Sequence, residues 1–124
     1  MKILAVMDLL DTHKKWLEEA AGDNEIVYIP AANVTIQDVS DAEVIIGNIA
    51  PALLSTASKL RWVQLFSAGA SEYCKPGGLQ HGVMLTNATG AYGLAISEHM
   101  LAVLLAMMKK LYVYEANQKQ CLWK

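Results

Sequence analysis

Five short apolar runs, alternating with segments of helical spacing, constrain the fold of this 124-residue chain more than any other feature. The runs are rich in Ile, Val and Leu; they cover residues 2–7, 25–29, 43–46, 61–66 and 83–85. Between the first two runs, Trp16, Leu17 and Ala20 recur as on one face of a helix. Thr12 is placed to cap that helix and Gly22 to end it. Short strands that alternate with helices predict an α/β fold, a flavodoxin-like doubly wound parallel five-stranded sheet.

The last third of the chain carries a second constraint. Helical periodicity begins near Leu94 and continues for about twenty residues, with apolar side chains around most of the circumference. These side chains are Leu94, Met100, Leu101, Val103, Leu104, Leu105, Met107, Met108 and Leu111. A helix that is apolar on all sides is buried on more than one, either as a central core helix or against another domain or a second copy. We expect a flavodoxin-like domain over residues 1–93, and over 94–124 a long apolar helix for interdomain and dimer contacts, followed by the start of a linker.

Composition and charge narrow the classes of function. The chain is 54% hydrophobic and 18% charged, with a net charge of −2, which argues against disorder and offers no basic surface to nucleic acid or anionic lipid. The apolar run 100–108 is well short of the roughly 20 residues that span a membrane. Cys74 and Cys121 have no metal-ligand spacing, and the amino terminus lacks the apolar core of a signal peptide. We therefore expect a cytoplasmic protein with reduced thiols.

The loops that follow the predicted strands are the candidate binding region, because ligands of open parallel sheets lie beyond the carboxyl ends of the strands. These loops contain Asp8, residues 47–49, residues 67–69 and residues 87–93. In the segment SAGA at 67–70, small side chains leave backbone N–H groups accessible, and a short helical turn after it would add a positive end. Such a segment fits a substrate carboxylate, and it fits equally a tight turn selected for packing.

Other catalytic chemistry finds little support in the sequence. Ser67 is not in the Gly-x-Ser-x-Gly turn that presents a serine nucleophile. The histidines, His13, His81 and His99, are each more typical of ordinary structural residues. Glu98 and His99 are neighbours on a helix and point in different directions, so they form no ready dyad.

The sequence also lacks residues that two phosphate-related functions require. The loop 90–93 has only part of the dinucleotide fingerprint, which requires three glycines between a strand and a helix. A phosphoacceptor receiver domain shares the predicted topology and the acidic residues after the first strand. It needs an aspartate at the end of the third strand, where Asn48 stands, and a lysine after the fifth, where none occurs. We therefore expect neither a dinucleotide loop nor phosphotransfer.

Residues 60 to about 123 resemble the D-isomer-specific 2-hydroxyacid dehydrogenases in three segments, in the family's order and separations. The segments are LRWVQLFSAGAS at 60–71, GVMLTNATGAYGLAISEHMLAVLLAMMKKL at 82–111, and NQ at 117–118 with the closing Trp123. The residues before 60 match only in the strand pattern and in GNIAP at 47–51. The resemblance implies an NAD-dependent oxidoreductase in which a Rossmann domain interrupts a flavodoxin-like substrate domain.

The resemblance also implies roles for residues of this chain. The backbone amides of Ala68 and Gly69, with Ser67 nearby, are expected to hold the substrate carboxylate. Asn48 and Ile49 are expected to line the same cleft.

A cofactor contact follows from the resemblance in the same way. Tyr92 and Gly93 match positions that approach the nicotinamide side of NAD, although many members carry a polar residue in place of Gly93. In the family, the glycine loop and the catalytic Arg, Glu and His belong to the Rossmann domain, beyond the residues present here. We therefore expect this chain alone to have no catalytic residue, no bound cofactor and no metal.

The intact protein is expected to interconvert a small 2-hydroxy acid and its 2-keto acid with NAD, or with NADP. Its expected partners are that acid, the missing Rossmann domain and a second copy of the chain through the helix from Leu94 to Leu111, without nucleic acid or membrane. An alternative is a free-standing flavodoxin-like interaction module that oligomerises through the same apolar helix.

Overall fold

The computed structural model describes residues 1–123 and contains two compact units, with the boundary between Thr89 and Gly90. The first unit holds the sheet and the second holds the last two helices. The predicted division after residue 93 lies slightly further along the chain, and the roles predicted for the two parts stay predictions.

The first unit alternates strands and helices as the sequence predicts. Its strands are β1 (Lys2–Ala5), β2 (Glu25–Tyr28), β3 (Val44–Ile46), β4 (Trp62–Gln64) and β5 (Met84–Thr86). Its helices are α1 (Asp11–Ala21), α2 (Ile36–Ser40) and α3 (Pro51–Leu54), with a 3₁₀ turn at Ala31–Asn33. Neighbouring strands are parallel, in the order β2-β1-β3-β4-β5. The predicted flavodoxin-like five-stranded sheet is confirmed.

One row of side chains crosses the sheet and forms the centre of the core. Its members are paired in register from β2 to β5: Val27, Leu4, Ile45, Val63 and Leu85. The three central members are fully buried, so this face of the sheet is covered at its centre. Each such side chain contributes about 1.5–3 kcal/mol relative to an exposed one. This packing fixes where each strand ends and where its loop begins.

Residues outside the strands complete the core. Val39 of α2, Leu54 of α3 and Leu65, which follows β4, are fully buried. The short helices are therefore held mainly by the sheet, since helices of one or two turns have little stability of their own.

The helix starts differ in how well the sequence predicts them. α2 begins with a capping box, in which Thr35 and Asp38 each accept a hydrogen bond from the other's backbone N–H. At α1 the predicted cap is wrong, because the helix begins at Asp11, before Thr12. Leu10 occupies the cap position, and its side chain has no oxygen to accept a hydrogen bond.

The second unit consists of α4 (Gly93–Met108) and α5 (Leu111–Lys119). The sequence predicts one continuous helix through Leu111, which is wrong at its end. Lys110 has a left-handed backbone, with a φ of 54°, and separates the two helices. Such a conformation costs a residue other than glycine roughly 1–2 kcal/mol, and no Gly or Pro marks the position in the sequence.

The apolar side chains of α4 are exposed. None is buried, and the large ones range from 44% exposed at Val103 to 74% at Leu94. The apolar helix surface that the sequence predicts is therefore present and exposed. Within residues 1–123, no helix combines the length and the apolar character that crossing a membrane requires.

Candidate functional site

The loops after β3 and β4 are joined by side-chain hydrogen bonds at the carboxyl edge of the sheet. The Asn48 Nδ2 donates to the Ser67 Oγ at 2.8 Å, and the Ser67 hydroxyl donates to the carbonyl of Gly69 at 3.0 Å. The Asn48 Oδ1 accepts the N–H of Phe66 at 3.2 Å. Three predicted site residues, Asn48, Ser67 and Gly69, thus lie together. The side-chain amide of Asn48 holds the loop after β4 through both its nitrogen and its oxygen.

The loop after β5 binds the same segment from its other side. The Asn87 Nδ2 donates to the carbonyl of Ala68 at 2.8 Å, and the N–H of Ala88 donates to the carbonyl of Ser67 at 3.0 Å. With the Ser67 hydroxyl on Gly69, three consecutive carbonyls are each held by a donor from the protein. The sequence analysis did not single out Asn87, although its position directly after the fifth strand was the available signal.

The backbone N–H groups of this segment are the open side of the loop. Ala68 and Gly69 are exposed, and their N–H groups donate to no acceptor within residues 1–123. A Cβ built on Gly69 meets nothing within 4 Å, and its φ is not positive, so neither packing nor backbone conformation requires glycine there. Adjacent free N–H groups suit an anion.

The segment after Ala70 forms a single hydrogen-bonded turn. The N–H of Tyr73 donates to the carbonyl of Ala70 at 3.1 Å, and no α-helix lies between β4 and β5. The contribution of this turn to anion binding stays a prediction.

Ile49 is held in the core by a residue that the sequence analysis missed. The Tyr73 hydroxyl donates to the carbonyl of Ile49 at 2.8 Å and accepts its N–H at 3.1 Å. Burial raises the pKa of the Tyr73 phenol, and the bond with the Ile49 backbone offsets part of that effect. The Ile49 side chain is only 4% exposed. Its predicted contact with substrate stays a prediction, and its visible role is to hold the loop in place.

Gly47, at the start of this loop, is required by the structure. Its φ is 118°, and a Cβ there would lie 2.9 Å from both the carbonyl oxygen and a side-chain methyl of Val6. Glycine therefore permits the loop after β3 to pass close to the end of β1.

An open cleft of about 250 Å³ lies at the same edge of the sheet. Its lining combines the ends of β1 and β4 with the segment after β2: Val6, Met7, Asp8, Ala31 and Phe66. The walls are largely apolar, and the Asp8 carboxylate is the charged group among them. A larger hollow, of about 680 Å³, belongs to the second unit around α5 and contains none of the predicted site residues.

The predicted cofactor contacts lie in the second unit. Tyr92 is about half exposed and precedes α4, and Gly93 is the first residue of that helix. A Cβ on Gly93 would meet nothing within 4 Å, so the space beside this backbone position is open. The nicotinamide contact of Tyr92 and Gly93 stays a prediction.

The remaining candidates for chemistry are dispersed. No group of three His, Cys, Asp or Glu within residues 1–123 is arranged to hold a metal ion. His13 packs its ring against Trp16 at 5.6 Å between centroids, and His81 and His99 are exposed. The polar network around the segment 67–69 is therefore the best-organised site.

No protein-family model matches the chain. The three similar proteins described next are all named as dehydrogenases. Erythronate-4-phosphate dehydrogenase of Tolumonas auensis is 27% identical over 90 residues, which are 69% of this chain and 24% of that protein. A D-isomer specific 2-hydroxyacid dehydrogenase family protein from Aeromonas salmonicida is 26% identical, with a TM-score of 0.78 over 99% of this chain and 40% of that chain. Phosphoglycerate dehydrogenase from Lactobacillus plantarum is 28% identical, with a TM-score of 0.57 over 100% of this chain and 41% of that chain.

The two solved structures match nearly the whole of this chain and the curated relative matches 69% of it, but each similarity covers only part of the relative. The chain spans about a quarter of the curated relative and about two fifths of the two solved chains. The sheet order, the three matching sequence segments and the solved structures agree with one another. The chain is therefore similar in sequence and fold to part of the D-isomer-specific 2-hydroxyacid dehydrogenases.

Proposed function

We propose that this chain is the substrate-binding portion of an NAD-dependent D-2-hydroxyacid dehydrogenase, a 2-keto acid reductase. In this proposal, the backbone amides of Ala68 and Gly69 hold the substrate carboxylate. The observation that supports it is the division of the loop 67–69 into two sides, with the carbonyls bonded to the protein and the N–H groups of Ala68 and Gly69 open.

The two amides suit a carboxylate for electrostatic reasons. A hydrogen bond to a charged group contributes about 1.5–3 kcal/mol, more than one between neutral groups. Backbone N–H groups do not titrate at ordinary pH. The pH dependence of carboxylate binding at these two amides is therefore set by the ionisation of the substrate acid. The neighbouring bonds from Asn48 and Asn87 keep the amides in one orientation before the acid arrives, which lowers the entropic cost of binding.

The rest of the reaction is proposed to depend on residues outside this chain. NAD, or NADP, would supply the hydride, and a histidine and an arginine of a Rossmann domain would polarise the substrate carbonyl. Asn48, Ser67 and the amides would fix the acid. We also propose a cytoplasmic location, in keeping with the free thiols of Cys74 and Cys121. The isolated chain mixed with NADH and pyruvate, glyoxylate or hydroxypyruvate is expected to oxidise no NADH.

We propose that the exposed apolar surface of α4 binds a second copy of the chain, through the Leu94 to Leu111 region. The supporting argument is that exposure of so large an apolar surface to water is unfavourable. The same exposure supports the alternative function, a free-standing module that oligomerises through this helix. Both require association, and only the dehydrogenase proposal requires binding of the acid.

Binding of the acid is tested by adding pyruvate to the ¹⁵N-labelled chain and following the backbone amide signals. The signals of Ala68 and Gly69 are expected to shift with pyruvate and not with methyl pyruvate, which lacks the carboxylate. Gly69→Asp places a competing negative charge at an open position and is expected to weaken pyruvate binding about tenfold or more.

Gly69→Asn is the matched control, because it adds a side chain of the same size without the charge. It is expected to retain binding within about threefold of the parent chain. Equal loss in both variants, or equal shifts with methyl pyruvate, would remove the carboxylate proposal.

A further inference from the structure

The cleft beside the end of β1 adjoins the proposed carboxylate site through a short stretch of chain. Phe66 lines the cleft and precedes Ala68 by two residues, so their Cα atoms are at most about 7.6 Å apart. The Asn48 amide ties the two together, since it bonds both the N–H of Phe66 and the hydroxyl of Ser67. An acid held at Ala68 and Gly69 therefore has this cleft within reach of the group beyond its keto carbon.

The cleft has the size and the lining of a side-chain pocket. Its volume of about 250 Å³ is slightly below the range of pockets that hold drug-sized ligands. Met7 and Phe66 supply apolar and aromatic contact, above the fully buried Val6. A branched aliphatic or aromatic substituent would fit this space and gain from removal of its surface from water.

The charges at this edge disfavour a phosphorylated substituent. Asp8 is exposed on the cleft, and no Lys or Arg lines it. Of the lysines in the segments that follow β1 and β4, Lys14 lies 3.7 Å from Asp11 and Lys75 lies 2.7 Å from Glu72, whereas Lys15 is exposed and does not line the cleft. A phosphate group carries a charge of about −1.5 to −2 and is normally held by such cations. Here it would meet a carboxylate.

We propose that this cleft receives the side chain of an unphosphorylated 2-keto acid, and that Asp8 is a specificity-determining residue that excludes phosphorylated acids. The inference rests on the proposed function, because it takes the carboxylate to be held by Ala68 and Gly69. It separates this chain from the two relatives above that are named for phosphorylated substrates.

Three acids with the same carboxylate test the proposal on the isolated chain by amide-signal titration. They are pyruvate, 4-methyl-2-oxopentanoate and 3-phosphohydroxypyruvate. The branched acid is expected to bind about tenfold more tightly than pyruvate, from partial burial of its three additional carbons. It should also shift the amide signals of Met7 and Asp8. The phosphorylated acid is expected to bind more weakly than the branched acid by at least a similar factor.

The role of Asp8 is tested by Asp8→Asn, with Asp23→Asn as the matched control. Asp23 is also exposed, but it precedes β2 and so lies towards the opposite edge of the sheet. Asp8→Asn is expected to strengthen binding of the phosphorylated acid by about threefold to tenfold and to leave the branched acid within about twofold. Asp23→Asn is expected to change neither.

The outcomes separate this inference from the function on which it rests. If pyruvate shifts Ala68 and Gly69 but the branched acid binds no better, or Asp8→Asn acts like Asp23→Asn, the specificity proposal is wrong and the carboxylate site stands. If none of the three acids shifts Ala68 and Gly69, the carboxylate site fails, and this proposal with it.

Discussion

The two units of this chain use apolar residues in opposite ways. In the first unit, apolar side chains of neighbouring strands are paired in register and fully buried, as at Leu4, Ile45 and Val63. In the second unit, Leu101 and Leu104 of α4 are each more than half exposed. The first unit therefore has a buried core of its own, whereas the second presents an exposed apolar surface. The candidate site lies in the unit with the buried core, which gives its loops a fixed base.

The largest expected difference between the two units is in the free energy of unfolding, when one leucine in each is truncated to alanine. Leu65→Ala removes a fully buried side chain and is expected to lower the free energy of unfolding by about 2–5 kcal/mol, from lost burial and the cavity left behind. Leu104→Ala removes a half-exposed one and is expected to change it by less than about 0.5 kcal/mol. Urea unfolding of the dilute chain measures both values. Equal losses would show that α4 is as well packed as the sheet.

A second test asks whether the order of the site depends on the core. Tyr73→Phe keeps the ring and removes the hydroxyl that bonds both the N–H and the carbonyl of Ile49. Because these groups would be left buried without a partner, we expect a loss of about 1–3 kcal/mol in the free energy of unfolding. Pyruvate binding should also weaken, since the loop after β3 carries Asn48.

Tyr28→Phe is the control for that prediction. Tyr28 is only partly buried, and its hydroxyl makes longer bonds of 3.4 Å to the Lys14 carbonyl and to Glu18. We expect it to cost less than about 1 kcal/mol and to leave pyruvate binding unchanged. If Tyr73→Phe lowers the free energy of unfolding no more than Tyr28→Phe does, the Ile49 backbone groups find other hydrogen-bond partners. The bonds between Tyr73 and Ile49 then do not order the site.

The sheet was predictable from the sequence because it depends on local patterns. Runs such as 44–46 are apolar without alternation, as expected for strands buried on both faces, and short connections leave few topologies open. The carboxyl-edge rule then located the loops that contain Asn48 and Ser67. These features require only the order of residue types along the chain.

The bonds that organise the site were not predictable in the same way. The Asn48–Ser67 bond joins residues 19 apart, and the Tyr73–Ile49 bonds join residues 24 apart. Such pairs depend on where separate loops lie after the sheet has formed, and nothing local marks them. The break at Lys110 was missed for a related reason, because its left-handed backbone carries no glycine or proline signal.

The smallest expected effect concerns the surface of α4 and bears on what covers it. Leu104→Glu places a charge on the apolar face and is expected to weaken self-association about tenfold, or about 1.4 kcal/mol, while stability of the dilute chain changes little. Leu10→Glu is the matched control, since Leu10 is an exposed leucine of the first unit at 68%. Sedimentation equilibrium over a range of concentrations measures both. If the parent chain sediments as a monomer throughout and Leu104→Glu changes nothing, a second copy is not what covers α4, and a separate domain becomes the preferred partner for this face.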